Sequence, residues 1–147
     1  MWTKSKSLNL TYSLVWLVLA LLVAGVFLIP TFVRWYDMLS LRPSIFKSFC
    51  AALYASLVPA FAAMVRLCGM LGNIKKKRMF VSENTEHLRA LSYCCFAECA
   101  VFFAFGFVRP LSFVLSFAAC FFGLILRVLK NVFEEAVELR KENDAVI

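Results

Sequence analysis

The chain has 147 residues, of which 63% are hydrophobic and 17% charged, and its formal net charge is +7. That length fits one domain, but ordinary soluble domains are roughly 45–50% apolar, so a soluble fold this small cannot bury the excess and lipid must cover part of it. The basic residues cluster between apolar runs instead of decorating one face, which favours membrane orientation over nucleic-acid binding.

Lys4 and Lys6 precede an apolar run over residues 8–33, broken only by Asn9, Thr11, Ser13 and Thr31. About 20 such residues cross a bilayer as a helix. The run is long and no convincing small-x-small cleavage site follows, so a retained span is expected and not a signal peptide. Pro30 lies near its far end, where a helix can stop or kink cheaply, and Trp35 and Tyr36 suit an interfacial aromatic belt. Arg42-Pro43-Ser44 reads as a helix start, since proline is favoured in a first turn.

A second span covers about residues 45–71. Ala51, Ala52, Ala55, Ser56, Ala60, Ala62 and Ala63 make it rich in small residues, which let membrane helices approach closely. Pro59 removes one backbone hydrogen bond near its middle and should kink it. Gly69 and Gly72 should loosen its end. The polar loop 73–87 follows, with Lys75, Lys76, Lys77 and Arg78 in succession. Ser82 reads as the N-cap of a third helix, with Glu83 and Glu86 complementing its dipole.

The third span is expected over 88–108 and the fourth over 111–130, joined at Arg109-Pro110 by a connection short enough to make a hairpin. The tail, 131–147, keeps a helical pattern. Val132, Ala136 and Leu139 fall on one side with Phe133 and Val137 beside them, and Lys130–Glu134 and Glu138–Lys141 are spaced for mutual support. The helix should project a few turns into water and end at Asn143-Asp144.

Lys4, Lys6, Arg66 through Arg89 and Arg127 through Lys141 hold twelve of the sixteen basic residues; Arg34, Arg42, Lys47 and Arg109 lie in the opposite loops. Positive charge stays inside. The expected architecture is therefore an all-α, integral membrane four-helix bundle of two antiparallel transmembrane hairpins. The whole chain, 1–147, forms one domain with both termini and the basic loop cytoplasmic.

The loop and tail also resemble a known family. Leu71-Gly72-Asn73-Ile74 followed by basic residues, Met79-Phe80-Val81-Ser82-Glu83-Asn84 with Leu88-Arg89, and the tail from Glu134-Glu135 through Leu139-Arg140-Lys141-Glu142-Asn143-Asp144-Ala145-Val146-Ile147 resemble the bacterial DUF2975 family, small membrane proteins defined by a domain of unknown function. This chain has Met79 where the family often has a proline before the loop phenylalanine. The resemblance implies four membrane helices, a bacterial cytoplasmic (inner) membrane and no catalytic residues. Genes of the family often lie beside small helix-turn-helix regulators, which implies a regulatory pairing.

Glu98 is the sharpest single feature. A charged side chain at the bilayer centre costs about 2.5–3.5 kcal/mol on translocon scales, so it usually faces a partner or cavity. An interhelical hydrogen bond or ion pair is the plain reading, with Arg66 and Arg127 able to reach inward; a proton- or cation-coupled site or ligand sensing is the functional one. All six cysteines, Cys50, Cys68, Cys94, Cys95, Cys99 and Cys120, lie in apolar runs and read as small hydrophobes. Cys95 and Cys99, one turn apart, are weak candidates for a soft metal such as copper(I). His87 is the only histidine, too few for a two-ligand haem, and reads as a solvated helix-start residue. No cofactor is expected, and no nucleophile–base pair marks an enzyme.

Lys75–Arg78 serves topology and lipid headgroups first. It is also a candidate for pairing with the acidic tail or docking a cytoplasmic protein, together with Phe80, Asn84, Glu134 and Glu138. Direct nucleic-acid binding is not expected, because the patch is short, hugs the membrane and has little aromatic interleaving. The leading expectation is a non-enzymatic interaction or regulatory protein. The competing one is a small transporter or channel, homo-oligomeric for want of width, with Glu98 as coupling group.

Overall fold

The computed structural model describes residues 3–146, so Ile147, the last residue of the tail motif, lies outside it. Among the described residues the regular structure is four helices, α1 (Lys4–Leu39), α2 (Phe46–Lys75), α3 (Ser82–Gly106) and α4 (Ser112–Val146). All four are long and apolar enough to cross a membrane.

Each helix packs on the next in sequence, α3 and α4 most extensively. The partners step down one helix as they step up the next. Phe49 of α2 meets the Tyr36 and Phe32 rings of α1 at 5.2 and 6.3 Å. Further along, Tyr54 Oη donates to the Val26 carbonyl at 2.9 Å, and Lys75 Nζ lies 5.2 Å over the Tyr12 ring. Between α2 and α3, Phe49 stacks on Phe105 at 5.3 Å and Asn73 bonds Asn84 at the other end. Between α3 and α4, Phe113 meets Phe103 at 5.4 Å and Arg127 reaches Tyr93 at 5.2 Å. No Cα of α1 comes within 8 Å of one in α4, so the bundle stays open along that seam.

The interior is small and partly polar. Asn84, Thr85, Ser92, Ser112 and Ser116 are buried, whereas Phe27, Phe107 and Phe117 are 78%, 76% and 74% exposed. Apolar rings facing out around buried hydroxyls suit a lipid solvent, because helices there gain by close packing and interhelical hydrogen bonds. Ser116 Oγ shows the pattern, donating to the Cys99 carbonyl at 2.8 Å across the α3–α4 interface.

Helix ends differ from the expectations. α1 runs through Pro30 to Leu39 and α2 through Pro59, each unbroken. A proline costs a helix one donor, but neighbouring helices in an apolar medium hold the segment helical. α2 starts at Phe46, after the Arg42-Pro43-Ser44 run. Ser44 Oγ accepts from the Phe46 N–H at 3.4 Å, and Asp37 braces the approach, accepting from Ser44 Oγ at 2.6 Å and from the Ile45 N–H at 3.4 Å. Ser82 is the first residue of α3, preceded by Val81 at the cap and with no side-chain cap bond. α4 passes Asn143-Asp144 and continues to Val146. Its inward stripe is buried Val137 with half-buried Phe133 and Ala136; Val132 and Leu139 face outward.

The small-residue face of α2 is only partly a packing face. Ala51, Ala55 and Ala62 are exposed, and Ala52 and Ala55 line a shallow opening shared with Ala100 and Ala104 of α3. Gly69 does not loosen α2. It makes room for His87 of α3, whose ring atoms Cε1 and Nε2 would lie 2.9 Å from a Cβ at that position. His87 is accordingly half-buried with its Nδ1 buried, and not the solvated residue expected.

Candidate functional site

The intramembrane candidates do not converge. Glu98, half-buried on α3, accepts a hydrogen bond from Ser56 Oγ of α2 at 2.7 Å. Arg66 is exposed, and Arg127 places its guanidinium 5.2 Å over the Tyr93 ring. The salt bridge found among the described residues is Lys130–Glu134, so neither arginine pairs with Glu98. The geometry is that of an interhelical hydrogen bond.

Cys99 Sγ lies 3.2 Å from Ser116 Oγ and all six cysteines are free. Among the described residues no group of three or more His, Cys, Asp or Glu side chains is placed to hold a metal.

The basic-loop end is more fully built. Lys77 sits in left-handed backbone (φ 59°), its N–H donates to the Ile74 carbonyl at 3.0 Å, and the Arg78 N–H donates to the Asn73 carbonyl at 2.9 Å. This pair of bonds is the left-handed cap that closes a helix C-terminus, here made without glycine. Asn84, fully buried on the first turn of α3, then grips the loop. Its Nδ2 donates to the carbonyls of Arg78 (3.1 Å) and Met79 (2.7 Å), and its Oδ1 accepts from Asn73 Nδ2 at 3.0 Å. Asn84 therefore shapes the loop from inside instead of offering a contact surface.

The loop so held leaves Lys75, Lys76, Lys77 and Arg78 exposed. It also turns Phe80 onto Phe133 of α4 at 5.6 Å, edge to face. Two clefts flank buried Val137. One, of about 310 Å³, includes Arg78 and Phe80 of the loop and Glu83 of α3 with Arg140 and Asp144 of α4. The other, of about 440 Å³, includes Glu86 and Arg89 of α3 with Glu134, Glu138 and Lys141 of α4. Lys130 Nζ, 2.9 Å from Glu134, holds the Glu134 carboxyl below the ordinary carboxylate range by hydrogen bond and charge. With the carboxylate exposed to solvent, the pair's contribution is small and is lost as pH falls through that lowered value.

Of the residues singled out from sequence, Arg78, Phe80, Glu134 and Glu138 are brought together here; Glu98, Arg66 and Arg127 are not. Sequence reasoning missed buried Thr85, whose Oγ1 has no hydrogen-bond partner among the described residues, in the wall of the larger cleft. It also missed a cavity at the opposite end of the helices, lined by Arg42 and Arg109, which had counted only toward topology.

A family model described as a protein of unknown function, DUF2975, matches residues 2–147, essentially the whole chain. No curated protein and no solved structure matches it.

Proposed function

The chain belongs to the DUF2975 family, whose function is unknown, and on that premise we propose that it is a non-enzymatic, multi-pass membrane anchor that docks a soluble regulator. In this reading two antiparallel hairpins cross the bacterial cytoplasmic membrane with both termini and the basic loop inside, as the twelve basic residues on that side favour. The carrying observation is the Asn84 grip. It gives an exposed run of four cations one fixed shape and joins it to α4 through Phe80 and Phe133. A surface ordered before its partner arrives loses less entropy on binding, which is what a recognition face needs. The mixed charge of the two clefts suits a small helical protein, such as a helix-turn-helix factor, whose release or capture the membrane protein controls.

The test is recruitment. A small helix-turn-helix regulator from the same genome, co-expressed with the full chain, should sediment with membranes. Replacing Lys76 and Arg78 with serine, or Glu138 with lysine, should release at least about tenfold more of it, since rim charges lost together are worth over 1 kcal/mol. Recruitment unchanged in both variants rejects the reading. Topology is checked separately: a single cysteine at position 76, with the six native cysteines replaced, should resist impermeant reagents in intact cells.

The second reading, a small transporter, draws on Glu98. Its carboxyl accepts a hydrogen bond from a hydroxyl and pairs with no cation among the described residues. Glu98→Gln retains an acceptor for Ser56, so folding should persist. Proton-coupled flux in liposomes that this variant abolishes would favour transport; flux unaltered by it would remove Glu98 from any such role.

A further inference from the structure

The end of the molecule away from the basic loop holds a cavity of about 710 Å³. It lies between the last turn of α1 (Tyr36, Leu39) and the start of α4 (Ser112, Leu115), two helices with no Cα pair within 8 Å. The walls are organised. Ile45 at the cap of α2, then Phe49 and Leu53, recur every fourth residue; Phe102 and Phe105 line the last turn of α3, and Arg109 follows in the α3–α4 turn, so an apolar trough leads away from a polar rim.

Arg42 and Arg109 are the charged residues of that lining, and no carboxylate joins them. The nearby Asp37 carboxylate is occupied by Ser44 and Ile45. Arg42 is exposed, whereas Arg109 is half-buried. Its Nη2 makes one long hydrogen bond, 3.5 Å to Ser40 Oγ, and its buried Nε has no partner among the described residues. A guanidinium beside phenylalanines, with donors unused, is uncompensated. Its planar fork matches a phosphate oxygen pair.

We infer that this cavity is a binding site for one anionic phospholipid, its phosphate on Arg109 and Arg42 and part of an acyl chain in the Phe49–Leu53–Phe102 trough. Both halves of the ligand are specified by chemistry on facing walls. The open seam between α1 and α4 gives the surrounding bilayer access. The inference does not depend on docking a regulator, nor on which leaflet this end faces.

The full-length protein, purified in detergent and stripped of lipid, is titrated with dioleoyl phosphatidylglycerol, dioleoyl phosphatidylcholine or inorganic phosphate, and occupancy is read by native mass spectrometry. Phosphatidylglycerol should bind at least about tenfold tighter than phosphatidylcholine: both present a phosphate to the arginines, but the choline ammonium brings a like charge to them and leaves that lipid with no net charge. Arg109→Gln and Arg42→Gln should each shrink that preference to under about threefold. Arg34→Gln should leave it intact, because Arg34 lies over Phe46 at 5.7 Å and outside the lining. Leu53→Trp, which fills the trough, should weaken both lipids alike.

Equal affinity for the two lipids overturns the inference. So does an Arg34→Gln loss as large as that of Arg109→Gln, which would mean general attraction to basic charge. Inorganic phosphate displacing the lipid at equal concentration would mean an anion site with no acyl component, and also overturns it. Should Arg109→Gln fail to fold, the exposed Arg42 carries the comparison.

Discussion

Asn84 shows why burial is hard to read from a polar stretch. Between Ser82-Glu83 and Thr85-Glu86 it looks like one more solvated loop residue, yet it is fully buried and makes three hydrogen bonds to the loop and Asn73. Asn84→Ala strips partners from two carbonyls and one side-chain amide, so a loss of about 1–3 kcal/mol in unfolding free energy is expected. Urea or thermal unfolding in detergent checks it, and protease sensitivity at Lys75–Arg78 should rise with it. Lys77 makes the opposite case. A non-glycine residue in left-handed backbone stores about 1 kcal/mol, so Lys77→Gly should be neutral or stabilising by up to about 1 kcal/mol, whereas Lys77→Val should destabilise. Glu98 was legible as an oddity in an apolar run. Its partner was not, because a long arginine looks the better mate on paper and Ser56 is one small residue among many on α2.

At the scale of the helix, existence was legible and extent was not. Four apolar runs longer than a bilayer needs could only be spans or buried helices, and four helices of that kind are present. Their ends were misread wherever composition changed without the backbone changing. Trp35, Tyr36 and Asp37 end the apolar pattern of α1 but not its hydrogen bonding, and Asn143-Asp144 likewise leave α4 helical. Close approach between helices is also invisible in one dimension. Gly123 receives the Phe96 ring from α3, with an added Cβ falling 2.9 Å from its edge. Gly123→Ala should cost about 1–3 kcal/mol by overpacking, measured as the unfolding midpoint in detergent, and Phe96→Leu in the same chain should recover part of it. Of the tail residues set on one side, Ala136 turns inward with Phe133 and Val137, Phe133 packing on Phe80, whereas Val132 and Leu139 face outward.

For the whole molecule, the positive charge distribution made topology an inference available from sequence, whereas the two polar ends needed coordinates. Loop and tail motifs pointed to one end, where Arg78, Phe80, Glu134 and Glu138 gather around Val137. The other end had only Arg42-Pro43 and Arg109-Pro110 to announce it, two short turns far apart in sequence, and nothing short of the fold says that they face one space.

Because every helix has its partner immediately before or after it in the chain, assembly need never wait for a distant segment. Each span can settle against its predecessor as it leaves the ribosome, a low-contact-order route that leaves little greasy surface stranded while synthesis continues. The same order makes the molecule divisible. A chain starting at residue 76 should still bring α3 and α4 together, and a cysteine placed at Ser116, whose Oγ lies 3.2 Å from Cys99 Sγ, should cross-link to Cys99 in that fragment as readily as in the intact protein.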